Sequence, residues 1–313
     1  MQLVRHLVDL PFDRLERGSV VTIGAYDGLH LGHRRLLDRV KESAVDMGLT
    51  TAVMSFEPTP KEFFQAARPP ARLMRFREKY EALENLGIDC FYCPRFSVAM
   101  RNISAADFIR RILVHGLNAR RVIIGDDFRF ARRREGGLDE LERAGRALGF
   151  EVEQQGSVFV DGVRVSSTAV REACLAGDMH DAARLLGRPY RMSGRVVRGQ
   201  RVGRQLGYPT ANVDLRRRQS PVMGIFAVRV TGLGPAAIDG VASVGSRPTF
   251  DGVKPLLEVH LFDFDRDIYG SYIHVDFIAR LREQVKYEQV EDLVAQMHID
   301  ADNARSILAD TAV

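Results

Sequence analysis

Residues 20–37, VVTIGAYDGLHLGHRRLL, decide the fold of the first half of the chain. The run Val20–Ile23 is typical of a buried strand, and the pattern after residue 31 is typical of an amphipathic helix. Gly24, Gly28 and Gly32 let the backbone between them turn sharply and approach a ligand closely. The stretch therefore predicts a strand, a glycine-rich loop with two histidines, and a helix, in that order.

The rest of the first half alternates between strand-like and helix-like segments. Strand-like runs occur at 20–24, 51–56, 88–93 and 121–125, and helix-like runs at 32–47, 76–86 and 105–114. Ser104 and Asp107 add a capping-box signature before the last helix. Apolar strands between amphipathic helices predict a parallel sheet covered on both faces, an α/β Rossmann-like domain. Such sheets bind ligands at the carboxyl ends of their strands, where the histidine loop lies.

The second half of the chain begins with a hairpin and two helices and then loses its helical periodicity. Residues 157–165 predict a hairpin around Asp161-Gly162, followed by helices at 168–175 and 179–186. Beyond residue 187, short alternating runs at 191–198, 225–231, 240–244, 256–262 and 271–278 predict a small antiparallel barrel, closed by a helix at 290–308. We therefore predict two domains, residues 1–186 and 187–313.

The composition of the chain limits the classes of ligand and location that are expected. The 313 residues are 45% hydrophobic and 27% charged, with a net charge of +4 from 45 basic and 41 acidic side chains. This mild excess suits an anionic small molecule better than nucleic acid. The runs 132–134 and 216–218, each of three arginines, are interpreted as solvated loops. No apolar run is long enough to span a membrane, and Asp9 and Asp13 interrupt any signal-peptide pattern.

Three cysteines cannot form an even set of disulfides. Cys90 and Cys93 make one CxxC with no second pair to complete a zinc site. A redox dithiol is an alternative, but the simpler interpretation is a strand with small thiols that pack in the core. A reducing, cytoplasmic location is expected.

Three interpretations of His30 and His33 remain open at this point. Zinc would need a third ligand, which the usual spacing does not provide. The two histidines could serve only in a turn and a helix start. They could also bind nucleotide phosphates, because the helix after Gly32 offers unpaired amides and a positive dipole end, and imidazoles donate to phosphate oxygens.

The segment Ser166-Ser167-Thr168-Ala169-Val170-Arg171 favours the nucleotide interpretation. Ser167 or Thr168 can act as the N-cap of a helix. Arg171 lies on the same side of the first turn. Hydroxyls, amides and a guanidinium would then converge on a polyphosphate.

Together, GxxDGxHxGH and SSTxxR resemble the nucleotidyltransferase module of the prokaryotic bifunctional riboflavin kinase/FAD synthetase family. The resemblance covers nearly the whole chain. It includes FEPTP at residues 56–60 and GDDFRFA at residues 125–131. Thr59 stands where the family usually has His, and Ala131 where it usually has Gly.

The loop GRQLGYPTAN, residues 203–212, is the main motif of the second half. It is not a Walker A loop, because no GKS or GKT follows. Its interpretation is a phosphate-holding loop in which Thr210 and Asn212 present oxygens to Mg²⁺. It resembles the riboflavin kinase signature GRxxGxPTAN.

Further segments of the second half resemble the same family. They are PVMGIFA (221–227), SVGSRPTF (243–250), LEVHLFDF (257–264), DIYG (267–270) and REQVKY (282–287). Ser243 replaces an expected Asn, and Gln284 an expected Glu. Phosphorylating a neutral hydroxyl calls for a carboxylate base, and by resemblance Glu258 is that base. Without the resemblance, Glu258 would be interpreted as an exposed strand residue.

The resemblance implies two reactions on two sites. The barrel would transfer the γ-phosphoryl of ATP to riboflavin, and the α/β domain would transfer AMP to FMN, giving FAD and pyrophosphate. The expected ligands are riboflavin, FMN, FAD, ATP and Mg²⁺, with no nucleic acid and no membrane. The implied catalytic residues are Glu258, His30, His33 and Arg171, the metal ligands Thr210 and Asn212, and the substrate contacts Gly24, Asp27, Gly28, Gly32, Phe56, Asp127, Ser167, Thr168, Gly203, Arg204, Gly207 and Pro209.

Two alternatives to this bifunctional enzyme can be distinguished by experiment. An adenylyltransferase for another phosphate ester, with the barrel as an accessory, would form no FMN from riboflavin. A flavin-binding regulator would bind flavin without turnover and bind RNA in a salt-dependent way.

Overall fold

The computed structural model describes residues 1–10, 12–199, 203, 206–249 and 252–311. By compactness the chain divides into two units: Met1–Pro70 with Met74–Val165, and Ala71–Leu73 with Ser166–Val313. The division by compactness falls before the predicted domain boundary at residue 187, which remains a prediction.

A six-stranded sheet forms the centre of the first unit. Its strands are β1 (Gln2–Val4), β2 (Ser19–Ile23), β3 (Thr50–Met54), β4 (Cys90–Tyr92), β5 (Ala119–Gly125) and β6 (Glu151–Gln155). All neighbouring pairs are parallel, in the order β1-β4-β3-β2-β5-β6. The order reverses direction at β2, so the crevice between β2 and β5 is the topological switch point where such sheets bind ligands.

Helices connect these strands. They are α1 (Phe12–Leu15), α2 (Leu31–Met47), α3 (Pro60–Phe64), α4 (Phe76–Asn85), α5 (Val98–Arg101), α6 (Ala105–Asp107) and α7 (Leu138–Leu148). The predicted helix over 105–114 is confirmed, and it consists of α6 followed by a π-helix over Phe108–Val114. Ser104 caps α6, as predicted, since its side chain accepts from the Asp107 amide.

Alternate strand residues pack on opposite faces of the sheet. Val21 and Ile23 belong to one buried cluster, and Val20 belongs to the other. Cys90 belongs to the first cluster and Cys93 to the second, and both are buried and form no disulfide. The interpretation of these cysteines as core thiols is confirmed.

The second unit contains two helices, a closed barrel and a C-terminal helix. The helices are α8 (Ser167–Ala176) and α9 (Met179–Leu186), and the last helix is α10 (Val290–Asp310). The predicted hairpin lies before them, with β7 (Phe159–Val160) and β8 (Val163–Arg164) in the first unit. Asp161 and Gly162 at its turn have φ of 48° and 78°, as a type I′ turn requires.

The barrel strands pair in the closed order β10-β13-β12-β11-β14-β9. They are β9 (Tyr190–Val197), β10 (Ala211–Asp214), β11 (Gly224–Thr231), β12 (Ile238–Thr249), β13 (Gly252–Leu261) and β14 (Tyr272–Arg282). All pairs are antiparallel. The last helix covers one side, where Ala304 and Leu308 pack against Ala227 and Phe262. Fold class and architecture follow the prediction.

Candidate active sites

The loop between β2 and α2 has a strained backbone. Tyr26, Gly28 and Leu29 have φ of 49°, 91° and 45°, in the left-handed region. Such conformations persist only where the surrounding structure holds them in place, and they are concentrated at ligand-binding sites. The Tyr26 ring is fully buried, its hydroxyl lies 2.8 Å from Thr22 Oγ1, and burial raises its pKa. The ring therefore anchors the loop to the end of β2.

His30 and His33 form a stacked pair at the start of α2, with ring centroids 3.6 Å apart. His30 is the N-cap, and its Nδ1 lies 3.3 Å from the donating amide of His33. Because Nδ1 accepts this bond, the neutral ring carries its proton on Nε2. A side chain on Gly32 would press against His30, since its Cβ would lie 3.2 Å from Nδ1. This geometry presents an imidazole donor at a helix start.

The charge state of His33 follows from its surroundings. Burial lowers the pKa of His33 well below its usual range, and the nearby His30 and Lys79 lower it further. His33 is therefore a neutral imidazole at neutral pH. The site combines the uncharged ring of His33, stacked on His30, with the positive end of the α2 dipole.

Two buried charged residues hold the loop from behind. Asp27 Oδ1 accepts a 2.8 Å bond from the Met74 amide. Lys79 Nζ donates to Ala25 O at 2.5 Å and to Ser55 Oγ at 3.3 Å. Lys79, only 3% exposed, was missed by sequence reasoning, although its helical spacing from Phe76 and Leu83 places it on the apolar face of α4.

The loop after β5 forms the other wall of the switch point. Asp126 accepts bonds from the Ser157 amide and hydroxyl and from Arg164. The Ser157 hydroxyl and, to a lesser degree, Arg164 lower the pKa of Asp126. Asp127, the predicted substrate contact, is exposed, with Oδ2 3.8 Å from Arg164 Nη2. Arg164 pairs more closely with Asp126, at 3.0 Å, and the Asp127 side chain remains exposed to solvent.

Aromatic rings cluster beyond the end of β3. Phe56 meets Phe96 edge-on with centroids 5.4 Å apart, and Phe63 meets Phe96 at 5.2 Å. Thr59, which departs from the family pattern, caps α3: it accepts from the Glu62 amide and donates to the Glu62 carboxylate. Thr59 therefore caps the start of α3, next to the aromatic cluster.

Helix α8 of the second unit carries the predicted phosphate residues. The prediction that Ser167 or Thr168 is the N-cap is wrong: Ser166 is the cap, and its Oγ accepts from the Ala169 amide at 3.1 Å. The helix begins one residue earlier than its apolar pattern indicates. Arg171 folds back along the first turn, with Nη1 3.0 Å from Ser167 O.

In the barrel, Glu258 lies in a row of polar residues across three strands. It is the register partner of Asn212 on β10 and of Ser243 on β12. Leu257 and Val259 on either side are fully buried inside the barrel, so Glu258 lies on the outer face. Cross-strand partners have Cβ atoms about 5 Å apart. The structure therefore brings the predicted base and one predicted metal ligand together.

The glycine-rich loop packs tightly against the same face. A Cβ on Gly203 would lie 2.4 Å from Tyr208 O and 3.2 Å from Thr210 Oγ1, and a Cβ on Gly199 would overlap Asn212. Gly207 has a φ of 83°, which favours glycine. Arg204, a predicted contact, lies outside the described residues.

His260 and Tyr208 hold this loop and were missed by sequence reasoning. His260 Nδ1 lies 2.9 Å from Pro209 O, and because a carbonyl only accepts, Nδ1 donates. The Tyr208 hydroxyl lies 2.5 Å from His298 Nδ1. The alternation of LEVHLFDF could have placed His260 on the same face as Glu258.

The oxygen donors of this face fit a hard cation. Across the ranges that the structure describes, no group of three His, Cys, Asp or Glu side chains could hold a metal. Thr210 and Asn212 offer neutral oxygens, which suit Mg²⁺ that retains water and phosphate ligands. A magnesium ion that arrives with a nucleotide is therefore compatible with this donor set.

Comparisons with known proteins match the two parts of the chain to two family models. The FAD synthetase family model matches residues 13–169, and the riboflavin kinase family model matches residues 186–308. Curated relatives named bifunctional riboflavin kinase/FMN adenylyltransferase are similar over the full length. The protein of Pseudomonas fluorescens is 45% identical over 100% of this chain and 99% of its own. That of Escherichia coli K12 is 42% identical over 99% of both.

A solved structure is similar across both units. It is described as a macrolide-efflux protein from Streptococcus pneumoniae, with 29% identity, a TM-score of 0.81, and coverage of 97% of this chain and 98% of that one. Among the described residues, no helix is long and apolar enough to cross a membrane.

Proposed function

Because the chain belongs to the bifunctional riboflavin kinase/FMN adenylyltransferase family, we propose how its residues divide the two reactions. The enzyme phosphorylates riboflavin to FMN with ATP, and it adenylylates FMN to FAD with release of pyrophosphate. We assign the first reaction to the outer face of the barrel at Glu258. We assign the second to the loop of His30 and His33 together with the residues of α8.

The kinase reaction needs a base. The nucleophile is a neutral primary hydroxyl, so Glu258 would accept its proton as the oxygen attacks the γ-phosphorus and ADP leaves. Thr210 and Asn212 would hold Mg²⁺, which, when bound, neutralises charge on the phosphates. Gly203, Arg204, Gly207 and Pro209 would shape the loop around those phosphates.

The adenylyl transfer needs charge shielding instead. The nucleophile is the phosphate of FMN, already anionic near neutral pH, so no base is required. His30 and His33 would donate hydrogen bonds to the phosphates of ATP, and Ser167, Thr168 and Arg171 would bind the same nucleotide. Gly24, Asp27, Gly28 and Gly32 would shape the loop, and pyrophosphate would leave.

The flavin of the second reaction needs a flat apolar surface. Phe56 and the adjoining Phe96 supply aromatic faces beyond β3, and Asp127 would accept a hydrogen bond from the polar edge of the ring. The three buried cysteines form no disulfide, which supports a reducing location, and we propose the cytoplasm.

One observation carries this proposal. In the barrel, Glu258 is the register partner of Asn212, whereas the start of α2 presents the neutral imidazole of His33 stacked on His30. The first arrangement suits an alcohol nucleophile, and the second suits a nucleophile that is already charged.

A chromatographic time course with riboflavin, ATP and Mg²⁺ tests the assignment. Glu258→Gln should lower FMN formation by about 100-fold or more, while FAD formation from added FMN persists. His30→Ala should show the opposite pattern, by about 100-fold. If Glu258→Gln left the kinase rate within a few-fold, Glu258 would not be the base.

A further inference from the structure

The segment Ala71–Leu73 packs in the second unit, although Pro70 and Met74 on either side of it belong to the first. It lies within residues 13–169, which the FAD synthetase family model matches. Two of the side chains that hold it, Tyr190 and Arg217, lie within residues 186–308, the riboflavin kinase match. Residues of the kinase match therefore contact backbone of the adenylyltransferase match.

Arg217 and Tyr190 hold the end of this segment. The Nη1 group of Arg217 donates to Arg72 O, and its two terminal nitrogens lie 3.3 and 3.4 Å from Leu73 O. The Tyr190 hydroxyl donates to Leu73 O at 3.2 Å. Two consecutive carbonyls are thus fixed by side chains from the barrel.

The beginning of the segment holds Arg171. Arg171 Nε donates to Ala71 O at 2.7 Å, and Nη1 donates to Ser167 O at 3.0 Å. Two bonds from different nitrogens fix the plane of a guanidinium. That plane decides whether the group can bind a phosphate through two parallel hydrogen bonds.

The burial of Arg217 shows that its position is specific. It is 7% exposed, whereas Arg216 and Arg218 beside it are exposed, so the prediction of a solvated loop is wrong at Arg217. A buried guanidinium is costly unless it is hydrogen-bonded, and both terminal nitrogens of Arg217 have these carbonyls as acceptors. Burial raises the pKa of Cys174 to about 12, and the charges of Arg171 and Arg217 oppose that rise, which agrees with both groups lying near this thiol.

We propose that Arg217 is a positioning residue for FMN adenylylation. It fixes Arg72 and Leu73, which keeps the Ala71 carbonyl where it orients Arg171. The inference rests on the proposed function, in which Arg171 binds ATP. It makes the efficiency of the second reaction depend on a residue of the kinase barrel.

Steady-state kinetics of both reactions on the full chain test this role. Arg217→Gln should lower kcat/KM for ATP in FMN adenylylation about tenfold, mainly through KM, with riboflavin phosphorylation within twofold of wild type. Tyr190→Phe, which removes one hydroxyl, should give a smaller loss of about twofold to threefold in the same reaction. Arg216→Gln, at the exposed neighbour that pairs with Asp214, is the matched control and should change neither.

A double variant separates positioning from general stability. Arg171→Ala should weaken adenylylation, and adding Arg217→Gln to it should cause little further loss. Equal losses in both reactions, or fully additive losses, would overturn the inference. If Arg217→Gln lowers the unfolding temperature markedly, the same comparison is made with Tyr190→Phe added to Arg171→Ala. Little further loss of adenylylation supports the inference, and an additive loss overturns it. No effect of Arg171→Ala would instead refute the proposed role of Arg171 itself.

Discussion

Gln284 Nε2 lies 3.0 Å from Ser243 Oγ, so two residues that depart from the family pattern are hydrogen-bonded to each other. The Gln284 carboxamide also fills the space where a Cβ on Gly245 would lie, with its nitrogen 2.6 Å from that position. Ser243 is the register partner of Glu258. The two departures therefore form one pair beside the candidate base.

We expect this pair to behave as a unit in thermal unfolding. Ser243→Ala and Gln284→Ala each remove the same bond, which contributes about 1 kcal/mol, or about 2–4 °C in the barrel's unfolding temperature. Because the bond can be lost only once, the unfolding temperature of Ser243→Ala/Gln284→Ala should be no lower than that of either single variant. Calorimetry measures this, with exposed Glu288→Gln as the control, and additive falls would contradict a shared bond.

A second prediction concerns the donor that holds the glycine-rich loop. His260→Phe keeps the edge-on ring contact with Tyr208, whose centroid is 4.9 Å away, but loses the bond to Pro209 O. We expect kcat/KM of riboflavin phosphorylation to fall about 3–10-fold, since one such bond contributes about 1 kcal/mol. FMN adenylylation should not change.

The conservative variant provides the contrast. In His260→Asn, the amide nitrogen takes the place of the imidazole Nδ1 and can donate to the same carbonyl. Riboflavin phosphorylation should therefore recover most of its efficiency. If His260→Asn were as slow as His260→Phe, the hydrogen bond to Pro209 would not be what positions the loop.

Sequence reasoning predicted elements where the apolar pattern was strong. The central strands β2 to β5 and the helix α9 follow long or periodic apolar runs and were predicted within a few residues. Strand β6 (Glu151–Gln155) was missed because an edge strand with polar side chains carries no apolar run. Strand β10 was missed because Gly, Pro and Thr before it indicate a loop. The pairing of Asn212 with Glu258 therefore could not be foreseen.

Buried charges could not be predicted, because their partners are distant in sequence. Lys79 bonds to the carbonyl of Ala25, 54 residues away, and Arg217 bonds to the carbonyl of Arg72, 145 residues away. A local pattern assigns such side chains to solvent. Only the tertiary fold brings the carbonyls that make their burial favourable.

A third prediction follows from the backbone at Ala131. Its φ of 63° and ψ of −173° lie in a region that only glycine adopts without strain, at a cost of about 1–3 kcal/mol. The family's usual glycine would remove this strain, although glycine gains more entropy on unfolding, by roughly 0.5–1 kcal/mol. We expect Ala131→Gly to raise the unfolding temperature of the first unit by a few degrees. Ala147→Gly in α7 is the control and should lower it.

The last prediction concerns the pH dependence of stability. Burial holds the pKa of His33 well below its usual range in the folded chain, whereas the unfolded chain has an ordinary imidazole near 6.5. As pH falls below about 6.5, the unfolded state binds a proton that the folded state does not, so stability falls. The slope reaches at most about 1.4 kcal/mol per pH unit and ends once the pH reaches the folded pKa. Above about pH 7.5 the contribution vanishes, since His33 is neutral in both states.

His33→Asn removes this titration. We expect the unfolding temperature of wild type relative to His33→Asn to decrease between pH 7.5 and pH 5.5, because only wild type loses stability through this group. Exposed His180→Asn is the control, and its difference from wild type should not decrease in this way. A constant difference for His33→Asn would mean that His33 is as easily protonated in the folded protein as in the unfolded chain. The neutral imidazole proposed for adenylyl transfer would then be untenable, since a ring that takes up protons so readily is partly charged near neutral pH.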